Sequence, residues 1–366
     1  MKTIQIINVR WFNATAWYGL YLARLLREAG HETLVITEPD TDADRKAKEW
    51  GFTPLHFDLN SSNPIKLMRA YAQLHKLIAE FAPDIVNCHR GEGFILWGLL
   101  RKYLESFKLV RTRGDQRLPK NNLPNRWLHT NVADAVVATN SVMANHFTSK
   151  LNVPAHKVST ILGGVDTDTF IFTKEGRDDF RKQLGYDDTN FVVAMLGRFD
   201  EVKGQKELIE AVAELYHAKG MKHLRLMLLG FDSATSQKEV ESWIAANNLQ
   251  EVCCITGKVD DVAAAISAMD LGVIASKWSE TIARAAFEIM ACQRPLISTG
   301  VGVMPDFMDE EAMFTAGDVD ALAAAIERAA KDEVYLKRIS ASQQHEIAAL
   351  SGQKFLEKTL TLYSSL

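Results

Sequence analysis

Residues 191–204 read Phe-Val-Val-Ala-Met-Leu-Gly-Arg-Phe-Asp-Glu-Val-Lys-Gly, and this stretch shows how the chain is organised. Its six apolar residues do not alternate with polar ones, which predicts a strand buried on both faces, as in a parallel sheet. Gly197 predicts a tight exit from that strand. Residues 205–218, closed by Gly220, predict the helix that follows. A buried strand that leads through a loop into a helix is the repeating unit of a doubly wound α/β domain.

The same unit recurs on both sides of this stretch. We predict further strands at 4–7, 33–37, 85–87, 108–111, 135–138 and after Lys157, and then at 224–229, 252–256, 271–275 and 295–298. The 366 residues are enough for two domains of about 150 to 180 residues each. We therefore predict an N-terminal domain at 1–168 and a C-terminal domain at 169–351. A last helix within 352–366 is free to pack on either, the first domain included.

Composition excludes several classes of protein. Hydrophobic residues make up 47% of the chain and charged residues 24%, which is typical of a globular protein and not of a disordered one. The apolar run at 94–100 is much shorter than the roughly 20 residues of a membrane helix. The N-terminus lacks the apolar core of a signal peptide, and the four cysteines have no metal-binding spacing. We expect a cytoplasmic protein without a bound metal or other cofactor.

Charge is distributed unevenly along the chain. Residues 1–183 carry 25 Lys and Arg against 19 Asp and Glu, whereas residues 184–366 carry 17 against 27. Eight basic side chains lie within residues 101–130, beside only two acidic ones. A basic first half favours an anionic partner such as a glycan or a membrane surface, and a solvated surface is the alternative. No stacking motif accompanies the charge, which argues against nucleic acid.

Two loops at predicted strand ends carry candidate binding residues, because ligands of open parallel sheets bind at the carboxyl ends of the strands. In the first loop, Gly197, Arg198 and Lys203 precede a helix whose free backbone N–H groups can receive an anion. An arginine and a lysine in that position suit a diphosphate. The alternative is a polar loop with two surface cations.

The second loop follows the strand at 271–275 and leads to Glu280. Apolar residues at 282, 285, 286, 289 and 290 predict a helix that already includes Glu280. Glu280, Arg284 and Glu288 then share its opposite face, and the two glutamates lie about 12 Å apart along the axis. That separation suits the two ends of a nucleotide-sugar. The alternative is an exposed ladder of salt bridges.

These motifs together resemble the retaining GT-B glycosyltransferases of the large family 4 type. That family has Gly-Arg-…-Lys-Gly and later Glu-x7-Glu followed by Ala-Met-Ala-x-Gly-x-Pro, and residues 288–295 here read Glu-Ile-Met-Ala-Cys-Gln-Arg-Pro. The linker at 164–170, the first helix at 22–32 and the strand at 83–86 are similar too. The resemblance covers essentially the whole chain and implies two Rossmann-like domains that face each other across a cleft.

The resemblance also implies roles for individual residues. Arg198 and Lys203 would bind the donor diphosphate, Glu280 the donor sugar and Glu288 the ribose, with Val259 near the base. Residues 280–283 read Glu-Thr-Ile-Ala where the family usually has Glu-Gly-Phe-Gly, so Thr281 replaces the first glycine. The family has an apolar residue at the position of Arg284. We expect Arg284 to hold Glu280 and Glu288 in the empty site, or to contact the donor.

The N-terminal domain contributes three candidates. Asn13-Ala14 stands where the family has a pair of glycines, and this position alone makes Asn13 a candidate contact for the acceptor or for a phosphate. His89 and Asp115 follow predicted strands and are candidate catalytic groups, with Asp115 also a candidate on the acceptor side. The alternatives are a structural histidine and a carboxylate paired with the arginines around it.

The function that follows is transfer of a sugar from a nucleotide-sugar to a hydroxyl of a glycan or glycolipid acceptor, with retention of configuration and without a metal. Arg198 and Lys203 would stabilise the departing diphosphate. The basic N-terminal domain suits lipopolysaccharide or other cell-surface glycan synthesis at the inner membrane face. Two alternatives remain open: a GT-B isomerase of the 2-epimerase type, and a nucleotide-sugar binding protein without catalytic activity.

Overall fold

The strands form two separate parallel sheets, one in each half of the chain, in a computed structural model that describes all 366 residues. The first sheet consists of β1 (Lys2–Ile7), β2 (Glu32–Thr37), β3 (Leu55–His56), β4 (Ile85–Cys88), β5 (Lys108–Arg113), β6 (Ala135–Ala138) and β7 (Val158–Thr160). The second consists of β8 (Phe191–Leu196), β9 (Leu224–Leu229), β10 (Cys253–Ile255), β11 (Leu271–Ile274), β12 (Leu296–Thr299) and β13 (Met313–Phe314). Only the two-residue strands β3 and β13 were not predicted, because they are too short to show a pattern.

Helices connect the strands in both halves. They are α1 (Ala14–Glu28), α2 (Asp42–Glu49), α3 (Pro64–Phe81), α4 (Phe94–Leu104), α5 (Leu123–Trp127), α6 (Ser141–Ser149), α7 (Lys174–Leu184), α8 (Gln205–Ala213), α9 (Gln237–Ala246), α10 (Val262–Ser267), α11 (Arg284–Ala291), α12 (Val319–Lys331), α13 (Glu333–Ala348) and α14 (Gly352–Ser364). Short 3-10 segments occur at Ala155–Lys157, Glu201–Lys203, Met304–Asp306 and Glu310–Ala312, and π-helical turns at Leu128–Val132 and Glu214–Ala218.

The order of the strands shows where the winding of the chain reverses in each sheet. The first sheet has the order β3-β2-β1-β4-β5-β6-β7 and the second β10-β9-β8-β11-β12-β13. In the first sheet, β2 and β3 are added on one side of β1, and β4 then pairs with the other side of β1. In the second sheet, β8 and β11 have the same relation. The crevices at the carboxyl ends of β1 and β4, and of β8 and β11, are the topological switch points at which such sheets bind ligands.

Burial explains why these runs form central strands. All four residues of β4, β6, β11 and β12 are buried, as expected for strands covered by helices on both faces. In the first unit, Trp97 of α4 is fully buried in a cluster that also contains Ile4 and Val86. Burial of such side chains contributes roughly 1.5 to 3 kcal/mol each. The rigid sheets that result hold the loops at their carboxyl ends.

The chain divides into two units after Gly164. Unit 1 comprises residues 1–164 and 352–366, and unit 2 comprises residues 165–351. The division lies four residues before the boundary we predicted at 168. Val165 is held by unit 2, because its backbone N–H donates to the carbonyl of Leu350 and it forms a bridge to Ser351.

Helix α14 returns to unit 1 after the chain has completed unit 2. Phe355 lies edge-on to Tyr18 of α1, with ring centroids 4.7 Å apart. Further along the helix, the hydroxyl of Tyr363 accepts a hydrogen bond of 2.9 Å from the side chain of Asn87 in β4. The last helix thus packs on unit 1, against α1 and β4.

Candidate active site

A buried polar cluster of unit 2 lies at its switch point and joins the loops after β8 and β11. Lys203 Nζ donates to Glu280 Oε2 over 2.7 Å, and the Ser276 hydroxyl donates to the same oxygen over 2.6 Å. Glu280 is 8% exposed, and a buried carboxylate is costly unless it is hydrogen-bonded, as it is here by two donors. The cluster fixes a carboxylate and a lysine side by side at the edge where a ligand is expected.

Gly204 brings the first of these loops close to the second. Its φ of +78° lies in the left-handed region, and a Cβ at this position would stand 2.3 Å from the carbonyl oxygen of Ala275. Any larger residue would separate the 3-10 turn Glu201–Lys203 from the end of β11. The glycine therefore allows Lys203 to reach Glu280.

A third loop supports Glu280 from its backbone side. The N–H of Val303 donates to the carbonyl of Glu280 over 2.7 Å, and a Cβ on Gly302 would lie 1.9 Å from that same oxygen. The Thr299 hydroxyl also donates to the carbonyl of Ser276 over 2.7 Å. We did not predict this support. The run Gly300-Val301-Gly302 directly after a buried strand was the sequence pattern that could have indicated it.

Our prediction that Glu280 shares a helical face with Arg284 and Glu288 was wrong. Helix α11 begins at Arg284, and Glu280 lies in the loop before it. Ala283, with a φ of +52°, interrupts the helical path, and Ile282 is buried as part of the loop. The apolar spacing at 282–290 therefore reflects a buried loop followed by a helix. Nor are the two glutamates an exposed ladder, since both are buried.

Arg284 is paired with Glu288, which lies one turn further along α11. Its Nε donates to Glu288 Oε1 over 2.6 Å, as the i, i+4 spacing predicted. Glu280, in contrast, is held by Lys203 and Ser276. Burial raises the pKa of Glu288 above its ordinary value, although the charge and hydrogen bond of Arg284 act in the opposite direction. Arg284 thus helps to keep a buried carboxylate ionised.

We expect Arg284→Leu to destabilise the protein by about 1 kcal/mol at pH 8, a modest value because Arg284 is partly solvated. The pKa of Glu288 is already raised in the folded state, so its ionisation opposes folding as the pH rises through that pKa. Without Arg284 the loss of stability should be smaller at pH 5 than at pH 8. Urea unfolding at both pH values measures it.

Lys337→Leu is the matched control for this variant, because Lys337 forms an i, i+4 pair with Glu333 in which both side chains are at least three-quarters exposed. It should change stability by no more than about 0.5 kcal/mol at either pH. A pH-independent loss in Arg284→Leu would contradict the account of Glu288.

Ala283 occupies the left-handed position where the resembled family has a glycine. Its side chain is buried, and its φ of +52° costs roughly 1 kcal/mol for a residue with a Cβ. We expect Ala283→Gly to offset part of this strain and to raise the free energy of unfolding or leave it unchanged. Equilibrium unfolding in urea measures the difference, and a clear loss of stability would show that the methyl group packs better than the strain costs.

The other predicted residues of unit 2 lie at the same edge of the sheet. Arg198 forms a salt bridge of 2.9 Å with Asp200 and keeps 47% of its side chain exposed. Gly197 has a φ of +152°, and a Cβ at this position would meet nothing within 4 Å. Thr281 lies beside Glu280 in the chain and is half-buried, and Val259 lies in the loop after β10. The structure thus leaves the Arg198 guanidinium accessible while Lys203 is engaged with Glu280.

The predicted residues of unit 1 have structural partners. Asn13 caps α1, since its side chain accepts from the backbone N–H of Ala16. His89 is 1% exposed and lies 2.9 Å from Gln5 Oε1. Burial, together with the nearby charge of Arg111, lowers the pKa of His89 to about 3, so it is neutral at physiological pH. Roles for Asn13 and His89 at a ligand stay predictions.

Asp115 lies among three arginines at the carboxyl end of β5. Its Oδ1 accepts from Arg90 Nη1 over 2.8 Å, and Arg111 and Arg113 lie 3.9 and 3.8 Å from its Oδ2. This carboxylate is paired, in agreement with the alternative we left open, and its role in catalysis or acceptor binding stays a prediction.

No group of three or more His, Cys, Asp or Glu side chains is arranged to hold a metal ion. None of the helices has the length and apolar character needed to cross a membrane.

Comparison with known proteins agrees with this architecture. The sequence model for glycosyl transferases group 1 matches residues 176–346, and that for glycosyltransferase family 4 matches residues 16–169. The solved structure of HepE from Anabaena in complex with UDP superposes with a TM-score of 0.87 over 100% of both chains at 19% identity. A glycosyltransferase from Rickettsia africae gives a TM-score of 0.86 over 100% of this chain and 98% of its own, also at 19% identity.

Among curated proteins, similarity is moderate. A D-inositol 3-phosphate glycosyltransferase of Pseudarthrobacter chlorophenolicus is 26% identical over 308 residues, which are 77% of this chain and 72% of that protein. Spore coat protein SA of Bacillus subtilis is 26% identical over 188 residues, or 48% of each chain. Several other relatives match over half of their length or less.

Two Rossmann-like units, each with polar residues at its switch point, define the GT-B fold. The family models cover nearly all of the chain, one in each unit. The chain belongs to the group 1, family 4 type of glycosyltransferases.

Proposed function

We propose that the protein transfers a sugar from a nucleotide-sugar donor to a hydroxyl group, with retention of anomeric configuration and without a metal ion. The observation that carries this proposal is the cluster of Lys203, Glu280 and Ser276 at the switch point of unit 2. Solved structures of Anabaena HepE, which has the same fold, contain UDP and UDP-glucose, which supports a nucleotide-sugar here.

Four predicted residues of unit 2 have separate parts in this proposal. Arg198, which is half exposed, and Lys203 bind the donor diphosphate and stabilise the negative charge that develops as it leaves, the role a metal ion has in other transferases. Glu280, oriented by Lys203 and Ser276, accepts hydrogen bonds from the sugar hydroxyls. Glu288 accepts from the ribose.

Three further predicted residues of unit 2 line the same edge. Thr281 donates its hydroxyl to the donor, the open space at Gly197 admits the diphosphate, and Val259 lies near the base. On the acceptor side, Asp115 and Asn13 remain our candidates from unit 1. The product belongs to lipopolysaccharide or another cell-surface glycan made on the cytoplasmic side of the membrane.

A ligand screen followed by a turnover assay tests the function. Thermal unfolding is measured with UDP, GDP and ADP at fixed protein concentration, because a ligand that binds only the native state raises the melting temperature. The matching nucleotide-sugars are then incubated with and without hydroxyl acceptors. Release of nucleotide that requires an acceptor supports a transferase. Interconversion of sugars alone indicates an isomerase, and binding without turnover indicates a binding protein.

We also propose that unit 1 binds an anionic membrane surface through the segment 117–127. Of the eight basic residues within 101–130, Arg111 is buried and Arg101 is held by Asp134 at 2.8 and 3.0 Å, so these two do not form a surface. Arg117 and Lys120 are exposed beside three large apolar side chains. These are Leu118, Leu123 and Trp127, at 40%, 80% and 41% exposure. Apolar groups flanked by cations suit the interface of an anionic bilayer.

Vesicle sedimentation tests this contact. We expect the protein to bind vesicles of phosphatidylglycerol with phosphatidylcholine, and to bind phosphatidylcholine alone much less, with binding that weakens as salt is raised. Leu123→Ser should reduce it severalfold, since a large exposed apolar group is lost. Val334→Ser, which removes a 73% exposed apolar side chain from α13 in unit 2, should have no effect. Equal binding to both kinds of vesicle would contradict the proposal.

A further inference from the structure

Three arginines stand together at the carboxyl ends of β4 and β5, next to the switch point of unit 1. We call Arg90, Arg111 and Arg113 the arginine cluster. Two carboxylates, Glu92 and Asp115, face this cluster. Glu92 pairs with Arg90, whose Nε and Nη2 donate to its carboxylate oxygens over 3.1 and 2.8 Å. That leaves Asp115, which accepts from Arg90 Nη1 over 2.8 Å. One carboxylate therefore serves all three guanidinium groups.

The other two arginines retain donors without acceptors. Arg111 Nη2 and Arg113 Nε are buried and have no hydrogen-bond partner. Both face Asp115 Oδ2, at 3.9 and 3.8 Å, which is too far for a hydrogen bond. Buried donors are almost always paired, and a buried charge without a full set of partners is costly. The cluster has more positive charge and more donors than this chain satisfies.

Burial and repulsion within the cluster affect the ionisation of Arg111. Arg111 is 1% exposed, and its burial together with the charge of Arg113 lowers its pKa to about 10. It nevertheless remains charged at neutral pH. Arg90 and Glu92 keep about a third of their side chains exposed, so the cluster extends from solvent to the buried Arg111. Arg113 and Asp115 are themselves 15% and 16% exposed, so the cluster is not closed off from solvent at Asp115.

We propose that the arginine cluster binds an anionic group of the acceptor, a phosphoryl or carboxylate group, and that Asp115 occupies its place in the empty protein. Two oxygens of such a group suit the two donors that Asp115 leaves unsatisfied, one on Arg111 and one on Arg113, because hydrogen bonds from charged guanidinium groups to oxyanions are strong. The inference rests on the proposed transferase function and narrows the acceptor to a negatively charged one. Asp115 then acts as an internal competitor for the site.

Inorganic phosphate is the first probe, titrated calorimetrically into the 366-residue protein saturated with UDP. UDP fills the proposed donor site of unit 2, so that phosphate reports a second site. If UDP does not bind, the same titration is made with Lys203→Ala, which lacks a lysine proposed to bind the donor diphosphate. Phosphate binding that this variant retains then reports a second site. Acetate at equal ionic strength is the second probe and distinguishes a carboxylate site from a phosphoryl site.

We expect Arg113→Gln to weaken phosphate binding at least about fivefold, because it removes one of the two unsatisfied donors. Arg69→Gln, at an exposed position on α3 of the same unit, is the matched control and should bind like the parent. Asp115→Asn should bind phosphate more tightly, because it removes a competing negative charge. UDP binding should be unchanged in all three variants, which separates this site from the donor site.

The proposal is overturned if neither phosphate nor acetate binds the parent protein, or if Arg113→Gln binds them as well as Arg69→Gln does. Weaker phosphate binding by Asp115→Asn would show that Asp115 only supports the arginines and does not stand in for a ligand. If the parent protein binds phosphate but not UDP, the result would contradict the proposed donor site and leave the arginine cluster as an anion site.

Discussion

Lys203→Ala is expected to lower nucleotide-sugar turnover by about 100-fold, a loss typical of removing one preorganised donor from an active site. Two effects combine. The variant loses the cation proposed to stabilise the leaving diphosphate. It also removes one of the two side-chain donors to the buried Glu280, so that of these two Ser276 alone remains. Turnover is measured with the nucleotide-sugar whose nucleotide gives the largest thermal shift, and UDP, GDP or ADP affinity is measured alongside.

Lys206→Ala provides the control for the loss of a lysine from the same region. Lys206 lies on α8, is 55% exposed and forms only a long pair of 3.9 Å with Glu210. Its removal should leave turnover within about twofold of the parent. Arg198→Ala should fall between the two, with a loss of at least about tenfold. Unchanged turnover in both Lys203→Ala and Arg198→Ala would rule out the assignment of the diphosphate to this loop.

Gly302→Ala is expected to destabilise the protein by about 3 kcal/mol or more, among the larger effects of single substitutions. A Cβ at this position would lie 1.9 Å from the carbonyl oxygen of Glu280, a distance no real contact allows, and the φ of +66° adds strain. The loop of Glu280 must move to relieve the overlap, which also breaks the hydrogen bond from Val303. Turnover should fall together with stability. Urea unfolding and activity at a temperature where the variant is folded measure both.

Gly317→Ala separates overlap from backbone strain. Gly317 has a similar φ of +74°, but a Cβ there would meet nothing within 4 Å. This variant should lose roughly 1 kcal/mol and retain full turnover. If Gly302→Ala behaves in the same way, Gly302 is not the support of Glu280 that its position indicates.

Much of the fold could be predicted because the decisive patterns are local. Unbroken apolar runs such as 191–196 can be buried only in the middle of a covered sheet, and their alternation with helices leads to two doubly wound units. The positions of Arg198 and Lys203 followed from the rule that parallel sheets bind ligands at strand ends. These inferences require no knowledge of which distant residues meet.

The start of α11 could not be predicted from the same kind of pattern. Ile282 has the spacing of a helical core residue, but it is buried in a loop, and Ala283 takes a left-handed conformation that propensity disfavours. Contacts made elsewhere in unit 2, among them the hydrogen bond from Val303 to Glu280, hold this loop. Periodicity reports only that a side chain is buried, and a loop can bury a side chain as well as a helix can.

The sequence by itself thus determined the class of fold, the two units and the loops that carry the candidate site. Only the tertiary structure decided that Lys203 and Glu280, 77 positions apart, form a pair, and that Gly302 supports the second of them. It alone placed two arginine donors without partners beside Asp115. The physical reason is that periodicity and turn residues act between neighbours in the chain, whereas ion pairs and buried donors depend on where separate strands end in space.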